Sequence, residues 1–418
     1  MKDSEMDESC RDGRQTMSRR SFLGSSAAAA SFTILSGKAV GGTQTSSNIN
    51  LGVIGCGNRG NWIANLFKQN GGYHLHAGAD YFQDRVEGFG KKFGVPSERR
   101  FTGLHGYKRL LETDVDAVAI MSPPYFHPRQ ALDAIQAGVH AYVAKPIAVD
   151  PAGCNTIRRA AKEAEGDLCL LVDFQTRANK YYIEALKRVH DGALGEIAFG
   201  EATYHAGDPF GRMYKWVKDG DIDAEDRLRA WGIYQTLSGD IITEQNIHTL
   251  DVMSWIMNEP PLSATGNGKQ VNRPHGDCFD TFQALFEYPD DTGITFSSRQ
   301  LQAWGSKPEG IRNRMFGTNG VLETKYGGRV RILGGKDSIY RGGDTGSIFK
   351  QGAVNNIETF RKNIENGKFE NSTVQPSIRS TLVTFLARRA AYTGRTVPWD
   401  EISNSNERME PDLHGLKK

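Results

Sequence analysis

The stretch Asn48-Ile49-Asn50-Leu51-Gly52-Val53-Ile54-Gly55-Cys56-Gly57-Asn58-Arg59-Gly60 runs a short apolar strand directly into a G-x-G-x-x-G turn. A helical pattern follows, and the next apolar run ends in an acid, Asp80, about 20 residues past the last glycine. This order of elements predicts a dinucleotide site with the pyrophosphate at the helix N-terminus, although glycines also cluster in ligand-free turns. The expected contacts are Gly55, Gly57, Asn58, Arg59 and Gly60.

Asp80 decides between the two nicotinamide cofactors. A carboxylate at the end of the second strand accepts hydrogen bonds from the adenosine ribose and repels a 2′-phosphate. The following residues, Tyr81 and Phe82, carry no cation, and Arg85 is expected to point away on a helix. NAD is therefore the predicted cofactor.

The residues before the first strand have the pattern of an export signal. Ser18-Arg19-Arg20-Ser21-Phe22-Leu23 is a twin-arginine motif, and a weakly apolar run extends from Gly24 to Leu35. Small residues favour cleavage after Ala39, so residues 1–39 are predicted to be a Tat signal peptide read by the Tat translocase. The expected location is periplasmic or secreted, with no stable membrane anchor; the alternative is an alanine-rich disordered leader.

Export restricts how the cofactor is used, because free NAD is a cytoplasmic metabolite. An exported enzyme that exchanged its cofactor at every turnover would find none outside. Either NAD stays bound and is returned to its starting redox state by a second substrate, or the overall reaction is redox-neutral.

Composition excludes several classes of protein. The 418 residues carry a net charge of +2 with acids and bases interleaved, which is not the pattern of a nucleic-acid-binding protein. The five cysteines have neither metal-site nor C-x-x-C spacing, so no metal site is expected and the cysteines of the folded part are predicted to be small buried residues.

Hydrophobic periodicity divides the folded part into two domains. Strand-like runs at 115–121, 139–143 and 168–172 alternate with helical patterns at 130–138 and 152–165, which predicts a doubly wound parallel sheet, the Rossmann fold, over residues 48–174. Alternating runs at 197–204, 279–288 and 293–300 predict an α+β domain with an open, mostly antiparallel sheet over residues 175–402.

Several motifs resemble those of the Gfo/Idh/MocA oxidoreductases, and the similarity extends over nearly the whole folded part. Met121-Ser122-Pro123-Pro124-Tyr125-Phe126-His127 resembles the family's T-P-x-x-x-H segment, and Ala144-Lys145-Pro146 stands where the family carries E-K-P with a proline that is usually cis. The helix from Ser238 to Asp251 resembles G-G-x-x-x-D-x-x-x-H-x-x-D. The resemblance implies cofactor contacts from Ser122, His127 and Lys145, and a homo-oligomer, either a dimer or a tetramer.

Two residues depart from the family pattern. Ala144 replaces the glutamate of E-K-P, which puts the pKa of Lys145 and the substrate geometry in doubt. Glu244 stands where most members have aspartate, which keeps the charge and lengthens its reach.

The expected catalytic residues are Lys145, His248 and Glu244. Hydride transfer from an alcohol carbon needs a base for the hydroxyl proton and a cation for the developing alkoxide. Lys145 supplies the charge, His248 titrates near neutrality, and Glu244 is expected on the same helix face one turn before His248. Asp251, one turn further, either orients His248 or is structural.

Candidate substrate residues follow the last strand of the first domain, where ligands bind in doubly wound sheets. They are Gln175, Arg177 and Tyr204, together with the Trp-, Tyr- and Arg-rich segment 208–231, which is also compatible with a surface loop or an oligomer contact.

The sequence favours an exported NAD-dependent oxidoreductase that transfers hydride between a carbon of a sugar, glycoside or polyol and a tightly held nicotinamide. One alternative is a redox-neutral NAD-dependent glycoside hydrolase. A second is a non-catalytic sugar-binding protein, against which the retention of Lys145 and His248 argues.

Overall fold

The computed structural model describes residues 48–217, 222–301, 310–334 and 340–418. The predicted signal peptide, residues 1–39, lies outside the described residues. The described residues form one compact unit, and the boundary expected between residues 174 and 175 stays a prediction.

The first sheet is parallel and is built from strands whose apolar runs are buried on both faces. Among the described residues its order is β3-β2-β1-β4-β5-β6, with every pair parallel. The strands are β1 (Ile49–Ile54), β2 (Tyr73–Asp80), β3 (Arg100–Thr102), β4 (Ala117–Ile120), β5 (His140–Ala144) and β6 (Leu170–Asp173). This arrangement confirms the predicted Rossmann fold.

Helices connect these strands, and their ends follow local chemistry. The Asp150 carboxylate accepts the N–H of Gly153 at 2.7 Å, and Pro151 fits the first turn of the helix that follows. Gly94 ends the second helix in the left-handed region. The helices are α1 (Asn58–Asn70), α2 (Gln83–Phe93), α3 (Gly106–Leu111), α4 (His127–Gln136) and α5 (Pro151–Ala164).

The second sheet contains nine strands among the described residues, in the order β14-β13-β12-β11-β7-β10-β9-β8-β15. Only β7 and β10 pair in parallel within that set, so the prediction of a mostly antiparallel sheet is confirmed. The strands are β7 (Ile197–Ala206), β8 (Ser263–Lys269), β9 (Thr281–Glu287), β10 (Gly293–Gln300), β11 (Ile311–Gly317), β12 (Gly320–Lys325), β13 (Arg329–Gly334), β14 (Tyr340–Asp344) and β15 (Val397–Pro398).

The remaining helices pack around this sheet and reach back to the first one. They are α6 (Lys180–His190), α7 (Ala224–Arg229), α8 (Gln235–Ser238), α9 (Ile241–Glu244), α10 (Ile247–Met257), α11 (Ile348–Glu365), α12 (Val374–Thr393) and α13 (Trp399–Ser403). No helix in the described ranges is long and apolar enough to cross a bilayer.

Helix α11 belongs to the Rossmann sheet in space although it lies far along the chain. Its Ile357 and Phe360 share one buried cluster with residues of β1 and α1. The Tyr73 hydroxyl donates to the Ile357 carbonyl at 2.9 Å, and the rings of Trp62 and Phe349 stack 4.5 Å apart. A helix from late in the sequence therefore completes one face of the first sheet, which sequence periodicity does not show.

The four described cysteines are buried and free, as predicted.

Candidate functional site

The glycine turn between β1 and α1 packs closely against neighbouring backbone at two of its glycines and borders open space at the third. Gly55 has φ 93°, and a Cβ there would lie 2.5 Å from the Ser122 nitrogen. A Cβ on Gly60 would lie 1.8 Å from the Gly55 carbonyl oxygen. At Gly57 the nearest atom is Nη1 of Arg85, 3.8 Å away, so this residue borders open space. Tight closure at two glycines and a gap at the third fit a pyrophosphate.

Asp80 lies at the end of β2, beside the glycine turn. Its carboxylate accepts the N–H of Cys56 at 2.7 Å and that of Phe82 at 3.0 Å. Burial raises the pKa of Asp80, and the nearby Arg85 guanidinium opposes the shift. The expectation that Arg85 points away is wrong. It lines the cofactor cavity, with its guanidinium carbon 4.7 Å from the Phe82 ring centroid, because α2 begins right after β2.

A cavity of about 610 Å³ extends from the glycine turn past Asp80. Ser122, Pro123 and Phe126 line its floor near the turn. Segment 208–231, which was a candidate for substrate contacts, forms the far wall of this cavity. It contributes Arg212, Met213, Lys215, Trp216, Leu228, Arg229 and Trp231. This segment therefore borders the adenosine end of the cofactor site.

His127 lies behind the cavity wall. Its Nδ1 is 2.7 Å from the Pro146 carbonyl oxygen, and its Nε2 is 2.8 Å from that of Ser122. Burial lowers the pKa of His127 to about 4, and the two backbone hydrogen bonds oppose the shift. The structure thus gives His127 a positioning role between Ser122 and Pro146, where the family resemblance implied a cofactor contact.

Lys145 directly follows β5, and its peptide bond to Pro146 is cis, as the resemblance implied. Its ammonium group donates to the backbone carbonyl of Glu244 and lies 3.4 Å from the Glu244 carboxylate. Burial lowers the pKa of Lys145, Arg59 acts in the same direction, and Glu244 opposes the shift. The structure therefore brings Lys145 and Glu244 together as the catalytic hypothesis requires.

His248 is 8% exposed, and its ring centroid is 5.3 Å from that of Tyr326. Burial lowers the pKa of His248 well below 6.5, and the charges of Lys145 and Arg59 add to the effect. Its Nδ1 has no hydrogen-bond partner among the described residues. A neutral imidazole with a free nitrogen suits proton acceptance.

The expectation that Glu244 and His248 share a helix is wrong. Glu244 is the last residue of α9, and His248 lies in the first turn of α10. The break falls at Gln245 and Asn246, where the Asn246 N–H bonds back to the Ile241 carbonyl, one residue further than in an α-helix. The Glu244 carboxylate still contacts Lys145, and the charge of Lys145 lowers the pKa of His248.

The three predicted substrate residues each bond to a different neighbour. Arg177 pairs with the fully buried Asp251 at 2.9 Å, and Ser380 donates to the same carboxylate at 2.6 Å. Asp251 is thus structural, and its ion pair engages the Arg177 guanidinium. Gln175 donates to Asp173 at 3.1 Å, and the Tyr204 hydroxyl donates to Oε1 of Gln245 at 2.8 Å.

Asp173 is a site residue that the sequence analysis missed. It ends β6 directly beside Ala144 of β5, is fully buried, and pairs with Arg59 at 2.6 Å. Asn356 donates to its other oxygen at 2.9 Å. An acid at the carboxyl end of a parallel strand, next to the strand that Lys145 follows, was the available signal.

Comparison with known proteins agrees with this geometry. Residues 49–172 match the oxidoreductase family with an NAD-binding Rossmann fold, and residues 182–323 match the GFO/IDH/MocA C-terminal domain. Scyllo-inositol 2-dehydrogenase (NAD(+)) of Bacillus subtilis is 25% identical over 324 residues, 76% of this chain and 86% of that protein. Alpha-N-acetylgalactosaminidase of Shewanella oneidensis is 30% identical over 161 residues, 37% of this chain and 35% of that protein.

Solved structures share the fold over most of the chain. Myo-inositol 2-dehydrogenase from Lactobacillus plantarum superposes with a TM-score of 0.66 at 21% identity, covering 84% of this chain and 99% of that one. Levoglucosan dehydrogenase, in complex with NADH and levoglucosan, gives 0.66 at 14% identity over 84% and 99%. With its NAD-binding turn and both domain matches, the chain belongs to the Gfo/Idh/MocA family of NAD-dependent oxidoreductases acting on CH–OH groups.

Proposed function

We propose that the protein oxidises a ring CH–OH of a cyclic polyol or sugar with an NAD that stays bound between turnovers. The observation that carries this proposal is the buried group of Lys145, Glu244 and His248, in which the charge of Arg59, a residue of the glycine turn, lowers the pKa of both Lys145 and His248. His248 accepts the hydroxyl proton, and Lys145 stabilises the developing alkoxide while Glu244 holds the ammonium in place. NAD supplies the hydride acceptor.

Unpaired polar atoms favour a substrate with several hydroxyl groups. Nδ1 of His248, the Tyr326 hydroxyl and Oε1 of Gln175 are buried and have no hydrogen-bond partner within the described ranges. Buried polar groups are normally paired, so such atoms point to a ligand that supplies donors and acceptors. Inositol dehydrogenases among the relatives and the levoglucosan complex make ring polyols and sugars the proposed class.

The test is a panel of inositols, aldoses, anhydrosugars and glycosides incubated with the NAD-loaded enzyme. Reduction of the bound cofactor by one of them, absent in Lys145→Ala, is the expected result. If every compound left the cofactor oxidised in the wild-type protein while its NADH bound normally, the proposed dehydrogenase activity would be wrong.

A redox-neutral glycoside hydrolase is the second candidate, because alpha-N-acetylgalactosaminidase is similar over 161 residues and such a reaction regenerates NAD in place. Hydrolysis of an aryl α-N-acetylgalactosaminide to the aryl alcohol and the free sugar, without net NADH, would select this candidate. Net NADH formation from a free polyol would select the dehydrogenase.

We also propose export through the twin-arginine motif at Arg19 and Arg20. Replacing both arginines by lysine should leave the precursor in the cytoplasm, whereas the exported wild type should carry bound NAD(H). Export of a nucleotide-free wild type that is active only with added NAD would exclude cofactor retention.

A homo-oligomer is proposed on the outer face of the second sheet. Phe199 and Leu333 are 48% and 41% exposed there, and the Phe199 ring stacks on Phe316 of the neighbouring strand at 4.6 Å. An exposed apolar row of this kind is typical of a protein interface. Phe199→Glu should lower the mass measured by light scattering, and an unchanged mass would exclude this face.

A further inference from the structure

Three distant parts of the chain meet over the adenosine end of the cofactor cavity. They are the end of β2 with Tyr81 and Phe82, the pieces Gly211–Trp216 and Ala224–Arg229, and the C-terminal residues 412–418. The last two parts together are called the adenosine cover below. The C-terminal residues lie beyond both matched family ranges.

Hydrogen bonds join the adenosine cover to the Rossmann domain. The Tyr81 hydroxyl donates to Oε1 of Glu225 at 2.7 Å and accepts the N–H of Lys417 at 3.3 Å. The N–H of Leu104 donates to the Lys417 carbonyl at 2.9 Å. Arg227 pairs with Asp412 at 3.1 Å, which ties the two parts of the cover to each other. Tyr81, at the end of the strand that carries Asp80, is thus bonded to both parts.

The cover also has its own apolar core. Phe82, Ala224, Leu228, Leu237 and Leu416 form a buried cluster separate from the two larger cores. Separating these side chains exposes apolar area to water, which costs about 25 cal/mol per Å².

The cationic side chain of Arg229 forms a further part of the cavity wall. The Arg229 guanidinium carbon lies 3.8 Å from the Phe82 ring centroid and 4.7 Å from that of Trp216, and Arg229 pairs with Asp84 at 3.3 Å. Arg229, Trp216 and Leu228 all line the cavity. An adenosine bound at Asp80 therefore lies between the glycine turn and the cover.

We propose that the adenosine cover forms part of the NAD-binding site and determines how slowly NAD dissociates. The C-terminal residues hold α7 in position by packing against it. Adenosine has to separate Leu228 and Arg229 from Phe82 in order to leave. This inference rests on the proposed retention of the cofactor and assigns it to residues outside the glycine turn.

The test is the dissociation rate of NADH from the loaded protein, followed by cofactor fluorescence after mixing with excess NAD. Leu416→Ala, Leu228→Ala and a chain ending at Pro411 should each release NADH at least tenfold faster than wild type, because each opens the apolar core. Leu262→Ala, at a leucine 57% exposed elsewhere, is the matched control and should leave the rate unchanged.

Thermal melting without nucleotide separates a loosened cover from a damaged fold. A variant that melts like wild type yet releases NADH faster supports the inference. Release rates that stay within twofold of wild type in both leucine variants would overturn it. The assay uses no substrate, so fast release in wild type would refute retention itself, whereas slow release unaffected by the variants would refute only the role of the cover.

Discussion

Replacing Asp173 by Asn tests whether the Arg59–Asp173 pair organises the reaction site. Asp173 is fully buried and accepts hydrogen bonds from Arg59 at 2.6 Å, Gln175 at 3.1 Å and Asn356 at 2.9 Å. The asparagine keeps the shape, but its amide nitrogen must face a donor whichever way it is turned. The substitution therefore removes a charge and leaves at least one hydrogen bond broken.

The expected loss follows from these contacts. Removing one partner of a fully buried ion pair costs about 3–5 kcal/mol, and the 29% exposure of the Arg59 side chain reduces this to about 2–4 kcal/mol. With an unfolding entropy of about 2.1 cal/mol/K per residue, a unit of this length loses about 3–5 °C in Tm. Asp191→Asn, at an exposed acid, is the control and should shift Tm by less than about 1 °C.

A second readout distinguishes an organising role from a merely structural one. Asp173 raises the pKa of Lys145, so removing its charge lowers that pKa further. The alkaline limb of the pH profile of kcat should therefore move to lower pH in Asp173→Asn. A Tm within about 1 °C of wild type, together with an alkaline limb that does not move, would refute the reasoning.

Four further predictions address the cofactor and the catalytic residues. Lys145→Ala and His248→Ala should each lose about 10²–10⁴-fold in kcat while still binding NADH, and near-native turnover in either would remove that residue from the mechanism. Because the pKa of His248 lies well below 6.5 and its neutral form accepts the proton, kcat/KM should show no acid limb at or above pH 6.5. Gly60→Ala should abolish NADH binding in a fluorescence titration, since its Cβ would lie 1.8 Å from a carbonyl oxygen. Gly293→Ala, in the second sheet, should bind NADH normally, because its Cβ would make one ordinary contact, at 3.4 Å to Leu285. Asp80 should give NAD(H) at least a tenfold (about 1.4 kcal/mol) advantage over NADP(H), and equal affinities would contradict its assigned role.

The sequence was sufficient for the fold because the deciding signals are local. The glycine turn, the buried strands of the first sheet and the alternating strands of the second each follow from a few neighbouring residues. Lys145 and Glu244 were also found, through motifs, and the structure joins them across 99 positions of sequence.

What the sequence did not reveal depends on long-range packing. The break at Gln245 and Asn246 lies inside a helical pattern, and the Tyr204–Gln245 hydrogen bond that accompanies it comes from a strand 41 residues away. The place of segment 208–231 on the adenosine side depends likewise on residues far off in the chain. Tertiary contacts override local propensity at these positions.

The position of α11 against β1 and α1 also determines the order of events during protein synthesis. The strand β6 ends at residue 173, but α11 begins only at residue 348, so a ribosome adding about 5–20 residues per second leaves one face of the first sheet uncovered for roughly 10–35 s. The adenosine side is completed later still, when Lys417 leaves the exit tunnel and bonds to Tyr81 and Leu104. A nucleotide therefore meets a finished site only after Lys417 has left the exit tunnel. Binding of NAD thus depends on residues made long after the glycine turn, and a chain interrupted before α11 or before Lys417 has the turn without the rest of its site.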